Sequence, residues 1–180
     1  MKVSRNNKIA ALVLAGIMTF APVAMAAQGD TYVSGMLGGS VNADTGNPNL
    51  DLDEGFSGSF AVGKYVCDKV RLEAEYGYFQ NDVEYNGHDN DMDTNTLMGN
   101  IYYDFDGWFG FVPYITAGIG VGWFDLEGID EDSTMVYKFG GGIDYKLTND
   151  LKVGARYTYF EADNVDFNSN MIGAVVSYNF

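Results

Sequence analysis

Long stretches of this chain alternate apolar and polar residues, and eight such stretches can be marked. They run roughly over 31–41, 56–66, 70–80, 95–105, 114–124, 135–147, 151–160 and 171–180. A period of two predicts β-strands with two unlike faces, because successive side chains of a strand point to opposite sides. In the third stretch Val70, Leu72, Ala74, Tyr76 and Tyr78 share one parity, and Arg71, Glu73, Glu75 and Gly77 the other. The fourth sets Leu97, Ile101, Tyr103 and Phe105 against Thr96, Met98, Asn100, Tyr102 and Asp104. The sixth sets Tyr137, Phe139, Ile143 and Tyr145 against Lys138, Gly140, Gly142 and Asp144, and the seventh Val153, Ala155 and Tyr157 against Lys152, Gly154 and Arg156. About ten residues is what a tilted strand needs to cross a bilayer. The second face is narrow and glycine-rich, so the aromatic face does not suit the inside of an eight-stranded barrel. The inverted arrangement fits, with apolar residues toward lipid and small or polar ones toward the lumen. The expected fold is an all-β, eight-stranded antiparallel up-and-down transmembrane β-barrel.

The connections alternate in length. Short ones fall at 67–69, 106–110 and 148–150, and long ones at 42–55, 81–94, 125–133 and 161–168. With the amino terminus on the periplasmic side, the long connections become extracellular loops and the short ones periplasmic turns.

The first residues carry a different signal. Lys2, Arg5 and Lys8 precede an apolar run over 9–20, and Ala24-Met25-Ala26 supplies a small-x-small cleavage site. That is the pattern of a secretory signal peptide, so residues 1–26 are expected to be a leader and 27–180 the barrel domain. Pro22 ends the run too early for a membrane-spanning helix. No cysteine follows the cleavage site, as a lipoprotein would require.

Composition narrows the function classes. The formal charge is −15, and removing the three basic leader residues makes it −18, which argues against nucleic acid as a partner because phosphates would be repelled. Aromatics at 15%, with 23 glycines and 3 prolines, suit strands and turns. The single cysteine, Cys67, allows no internal disulfide.

The end of the chain places it. Ile172, Ala174, Val176, Tyr178 and Phe180 share one parity to the last residue, and this ending resembles the C-terminal assembly signal of bacterial outer-membrane proteins. Asn100-Ile-Tyr-Tyr-Asp-Phe105, Pro113-Tyr-Ile-Thr-Ala-Gly-Ile-Gly120, Gly141-Gly-Ile-Asp-Tyr-Lys-Leu147 and Leu151-Lys-Val-Gly-Ala-Arg-Tyr157 resemble the opacity-protein and surface-antigen barrels, relatives of the OmpA-like eight-stranded fold. The resemblance implies a Gram-negative outer-membrane surface antigen, adhesin or small porin-like protein, without cofactor or catalytic residues to carry over. It implies contact with membrane lipid and lipopolysaccharide, and with the barrel-assembly machinery through Tyr178 and Phe180. A monomer is the default expectation.

Two groups of charges are candidates for function. Seventeen of the 25 acidic residues fall in the four long connections, with no Lys or Arg among them. A solvated acidic rim is the plain reading. The sharper one is cation capture, through divalent ions bridging to lipopolysaccharide or by drawing cations toward the lumen; an extracellular protein is the other candidate partner of the loops. Asp89, Asp91 and Asp93 make the D-x-D-x-D start of a calcium loop, but Thr94 stands where glycine is wanted and Asn100 where the bidentate glutamate belongs. The second group is Arg71, Glu73, Glu75, Asp104, Asp144, Lys152 and Arg156 on the lumen parity. In a narrow interior such charges must pair, either as a fixed plug or as a gated cation path. Three functions follow. The chain acts as a non-enzymatic surface protein presenting acidic loops, as a small cation-preferring channel, or, remotely, as a lipid A-modifying enzyme. The last needs an activated nucleophile beside a base; His88 is the only histidine, and Ser133 and Ser169 lie in other loop regions.

Overall fold

A computed structural model describes residues 31–44, 51–52, 55–85, 88–125, 132–163 and 167–180. Eight long strands and one short one make a single sheet. They are β1 (Thr31–Asp44), the two-residue β2 (Asp51–Leu52), β3 (Phe56–Cys67), β4 (Val70–Tyr85), β5 (His88–Asp104), β6 (Phe111–Asp125), β7 (Asp132–Lys146), β8 (Leu151–Ala162) and β9 (Phe167–Asn179). Each long strand pairs antiparallel with the next, and β9 pairs back onto β1 from Tyr32↔Asn179 to Asp44↔Asn168. The sheet is therefore a closed barrel of eight strands, which leaves no unpaired edge in a medium without water to satisfy it.

The parity of the strands decides what each face meets. Leu37, Phe60, Ile101, Ile115, Phe139 and Ile172 stand outward and exposed, Phe139 at 57% of its surface. Arg71, Glu73, Glu75, Asp144 and Arg156 point inward and are buried. This is the inverse of a water-soluble barrel. Small residues make room for the interior. A Cβ on Gly63 would stand 2.2 Å from the Tyr32 ring, and one on Gly142 would stand 2.5 Å from the Tyr114 hydroxyl. Toward the outer mouth, Met98, Val136, Phe160, Ala162 and Met171 form an apolar cluster with Phe79 against it.

One expectation is corrected here. The connection read at 81–94 is almost entirely strand, and those read at 125–133 and 161–168 begin and end in strand. β4 and β5 stay paired as far as Tyr85↔His88, leaving only 86–87 between them. β6 and β7 stay paired to Phe124↔Asp132, and β8 reaches Ala162. In the first connection β1 reaches Asp44, and β2 pairs with both β1 and β4. The physical reason is cooperative: once a hairpin's register is set within the membrane, each further rung costs little and satisfies two more backbone groups. β5 has 17 residues, about 56 Å at ~3.3 Å each; tilted by ~40° it reaches about 43 Å, well past an apolar band of about 25 Å.

Candidate functional site: the lumen charge layer and the outer hairpins

Arg71 lies at the centre of the lower lumen and is 2% exposed. Its Nε donates to Asp104 Oδ1 at 3.1 Å and its Nη2 to Asp144 Oδ2 at 3.3 Å. Four tyrosine rings surround the guanidinium, those of Tyr102, Tyr114, Tyr32 and Tyr65, at 4.5, 4.9, 5.5 and 6.0 Å from Cζ. A flat, weakly hydrated cation among ring faces is favourable once water is excluded.

Above it stands Glu73, on the same face because it is two residues along β4. Tyr32 and Ser34 donate to its Oε2 at 3.0 and 3.2 Å, and Tyr102 and Asn100 to its Oε1 at 2.6 and 3.3 Å. Glu75 follows, accepting from Lys138 Nζ and, at 3.3 Å, from Arg156 Nη1. Arg156 Nε also donates to the Tyr114 hydroxyl at 3.2 Å, and Lys152 Nζ to that of Tyr65 at 2.6 Å. Four cations, Arg71, Lys138, Lys152 and Arg156, thus face four carboxylates, Glu73, Glu75, Asp104 and Asp144. The layer is formally neutral and cross-links β1, β3, β4, β5, β6, β7 and β8. Two small voids above it, of about 10 and 20 Å³, each have room for about one water.

The seven lumen residues singled out in the sequence all face this interior. Lys138 and the tyrosines were missed. Their parity was a usable signal, since Lys138 alternates with Gly140 and Asp144, and Tyr102 with Asp104. The contact partners were not visible, because Glu75 and Lys138 lie on β4 and β7, across the lumen rather than side by side.

The outer end is acidic at the level of backbone register. Glu84 of β4 stands between Asp51 of β2 and Asp89 of β5, Asp82 is opposite Asp91, and Asp93 is opposite Asp125 of β6. Asp89, Asp91 and Asp93 therefore lie along a strand and not in a turning loop. A calcium loop wraps its ligands around the ion, whereas alternate strand residues stand about 6.6 Å apart in a row. The described residues include no group of three or more metal-ligating side chains. His88 lies at the tip of the β4–β5 hairpin. Ser133 pairs with Trp123, which pairs with Asn95; His88 is seven residues further along β5, about 23 Å away. Asp53, Glu54, Glu127, Asp130, Glu131 and Asp166 lie outside the described residues.

At the opposite end, Tyr178 and Phe180 pack edge-on with ring centroids 5.4 Å apart, both exposed on the outer face. Cys67 is a free, exposed thiol where β3 meets its turn. Lys69 and Asp106 pair at 2.7 Å between the first two short turns, and the Asp106 hydrogen bond holds the exposed Lys69 ammonium above the usual lysine range.

A closed barrel with a lipid-compatible exterior, a buried and paired polar interior and strands that outrun the bilayer defines a small outer-membrane protein of Gram-negative type. Over residues 9–180 the chain matches the outer membrane protein β-barrel domain, and it belongs to that family. It is 27% identical to the outer membrane protein PagN of Salmonella typhimurium, over 92% of this chain and 87% of that one. Among solved structures it is similar to Neisserial surface protein A, at a TM-score of 0.64 and 19% identity over 83% of this chain and 97% of the other. It is also similar to the N-terminal β-barrel domain of OprF from Pseudomonas aeruginosa, at 0.55 and 21% over 85% and 100%. A third similarity is to Ail, the attachment invasion locus protein of Yersinia pestis, solved with the heparin analogue sucrose octasulfate, at 0.51 and 15% over 84% and 100%.

Proposed function

We propose that the chain is a non-catalytic surface protein that uses its barrel as a rigid pedestal for acidic hairpins, which bind cationic groups outside the cell. The observation that carries this reading is the contrast between the two ends of one sheet. The lumen is filled by a paired, neutral layer, whereas β4, β5, β6 and β7 continue past the membrane with carboxylates in adjacent register. Like charges opposite one another on neighbouring strands are unfavourable, and a cationic partner or bridging divalent ion relieves that repulsion. Lipopolysaccharide bridged through such ions and a basic extracellular protein are the two partners of this chemistry. The name of Ail supports an attachment role for a barrel of this shape. Its co-crystallised ligand is a polyanion, which the acidic hairpins here would repel. Tyr178 and Phe180 are assigned to recognition by the barrel-assembly machinery.

The test is adhesion of cells displaying the chain to a matrix of basic protein, compared with a variant in which 82–91 are replaced by Asn-Gly. Asn81 and Met92 are register partners, so a two-residue turn can close the shortened hairpin. Binding should fall at least tenfold while the barrel still assembles. Undiminished binding by the shortened variant would overturn the reading.

A further inference from the structure

The hairpin turn between β5 and β6 is built against the preference of its backbone. Trp108 and Phe111 exchange both backbone hydrogen bonds at 2.9 Å, enclosing Phe109 and Gly110 in a two-residue turn. Both enclosed residues have positive φ, 51° and 88°. That geometry favours Asn-Gly or Gly-Gly, and a bulky residue in its first position is an outlier. Phe109 is the one described non-glycine residue with positive φ, and it is also 93% exposed. A strained backbone that holds a large apolar ring in the open calls for something outside the chain to cover the ring.

What covers it is indicated by the neighbours. Lys146 donates its backbone N–H to Gly110 O at 2.9 Å, which ties the turn to the end of β7. The ring of Tyr145, on the outer face of β7, packs on Phe111 with centroids 4.8 Å apart. A Cβ on Gly110 would stand 3.1 Å from that same ring. Tyr103 and Phe105 continue the exposed aromatic surface up β5. The turn is thus continuous with the surface that meets lipid, at the periplasmic rim where aromatic side chains partition favourably.

We infer that Trp108-Phe109-Gly110-Phe111 is a lipid wedge, with Phe109 inserted among the headgroups and upper acyl chains of the periplasmic leaflet and fixing the depth of the barrel there. Its occupant is phospholipid, not a periplasmic protein. The chain has two tryptophans, so the full chain carrying Trp123→Phe reports on Trp108 alone. It would be reconstituted in phosphatidylethanolamine–phosphatidylcholine vesicles with bromines placed shallow or deep on the acyl chains. Shallow bromines should quench Trp108 roughly twofold and deep ones little, and aqueous acrylamide should quench it several-fold less than in the urea-unfolded chain. Adding Phe109→Asn, which suits the turn but removes the ring, should weaken bromine quenching and restore acrylamide access. Trp108 open to acrylamide and untouched by bromine would mean that the turn faces water or a protein, and would overturn the wedge. Bromine quenching unchanged by Phe109→Asn would remove Phe109 from it. If that variant does not assemble, the parent's quenching still decides between lipid and water.

Discussion

Arg71 and Phe109 show how single residues are used in this barrel. Arg71 is held by two carboxylates and four rings, all on other strands. Buried ion pairs contribute little net stability when intact, since desolvation offsets attraction, but removing one partner leaves an uncompensated charge. Arg71→Ala leaves Asp104 and Asp144 facing each other without their cation. It is expected to destabilise the barrel by about 3–5 kcal/mol in urea unfolding from detergent micelles; a loss below about 1 kcal/mol would mean that water or Lys152 replaces the guanidinium. Phe109 works the other way. Relief of a left-handed bulky residue is worth about 1–2 kcal/mol, so in detergent, whose apolar chains also cover the ring, Phe109→Asn should cost less than the about 1.5–3 kcal/mol of a lost Phe side chain. A larger loss in the same assay would show that the ring packs on the protein itself.

At the level of elements, the alternation of each strand was legible because lipid and lumen impose opposite demands on neighbouring residues. The hairpin extensions were not. Residues 81–94 hold nine Asn, Asp, Glu or Gly residues among fourteen beside a single Val, a composition that favours loops; pairing across the hairpin overrides it. The signal that could have corrected this is Asn86-Gly87 between Tyr85 and His88, the dipeptide of tight hairpins. Contacts across the lumen were illegible for a different reason. Parity gives the face of a residue but not its height against a strand three places round the barrel, so Glu75 and Lys138 met without any sequence cue. Because the rungs beyond the membrane contribute little to the buried interior, replacing 82–91 by Asn-Gly should leave the unfolding free energy from urea titration within the spread of surface substitutions, about 0.5 kcal/mol. By contrast Gly63→Val, which would drive a side chain into the Tyr32 ring, should cost about 1–3 kcal/mol through displaced packing. If the shortened hairpin proved the more damaging of the two, the outer rungs and not the lumen would be what holds the barrel closed.

For the whole molecule, charge is sorted by depth. The exterior band is apolar, the lumen layer carries four charges of each sign, and the acidic excess stands at the outer end. An ion entering from outside would meet an attractive rim, then the apolar cluster around Met98, Val136 and Phe160, and then groups whose lone pairs and protons are already committed to one another. Desolvation in such a space is costly unless the wall offers free ligands, and the buried oxygens without a partner here, on Ser57, Thr94, Thr96, Asn100 and Thr116, are neutral hydroxyl and amide groups and not carboxylates. The protein is therefore expected to be silent in planar bilayers in KCl, with insertion verified separately, and to stay silent when calcium is added. Glu75→Gln would free Lys138 and Arg156 from their shared carboxylate and leave the lumen with one excess positive charge, so any leak that appeared should prefer anions. Discrete cation-selective steps from the unaltered protein, lost in Glu73→Gln or Glu75→Gln, would contradict this. They would mean that the paired layer rearranges on the timescale of conduction and that the acidic hairpins serve as the funnel of a channel.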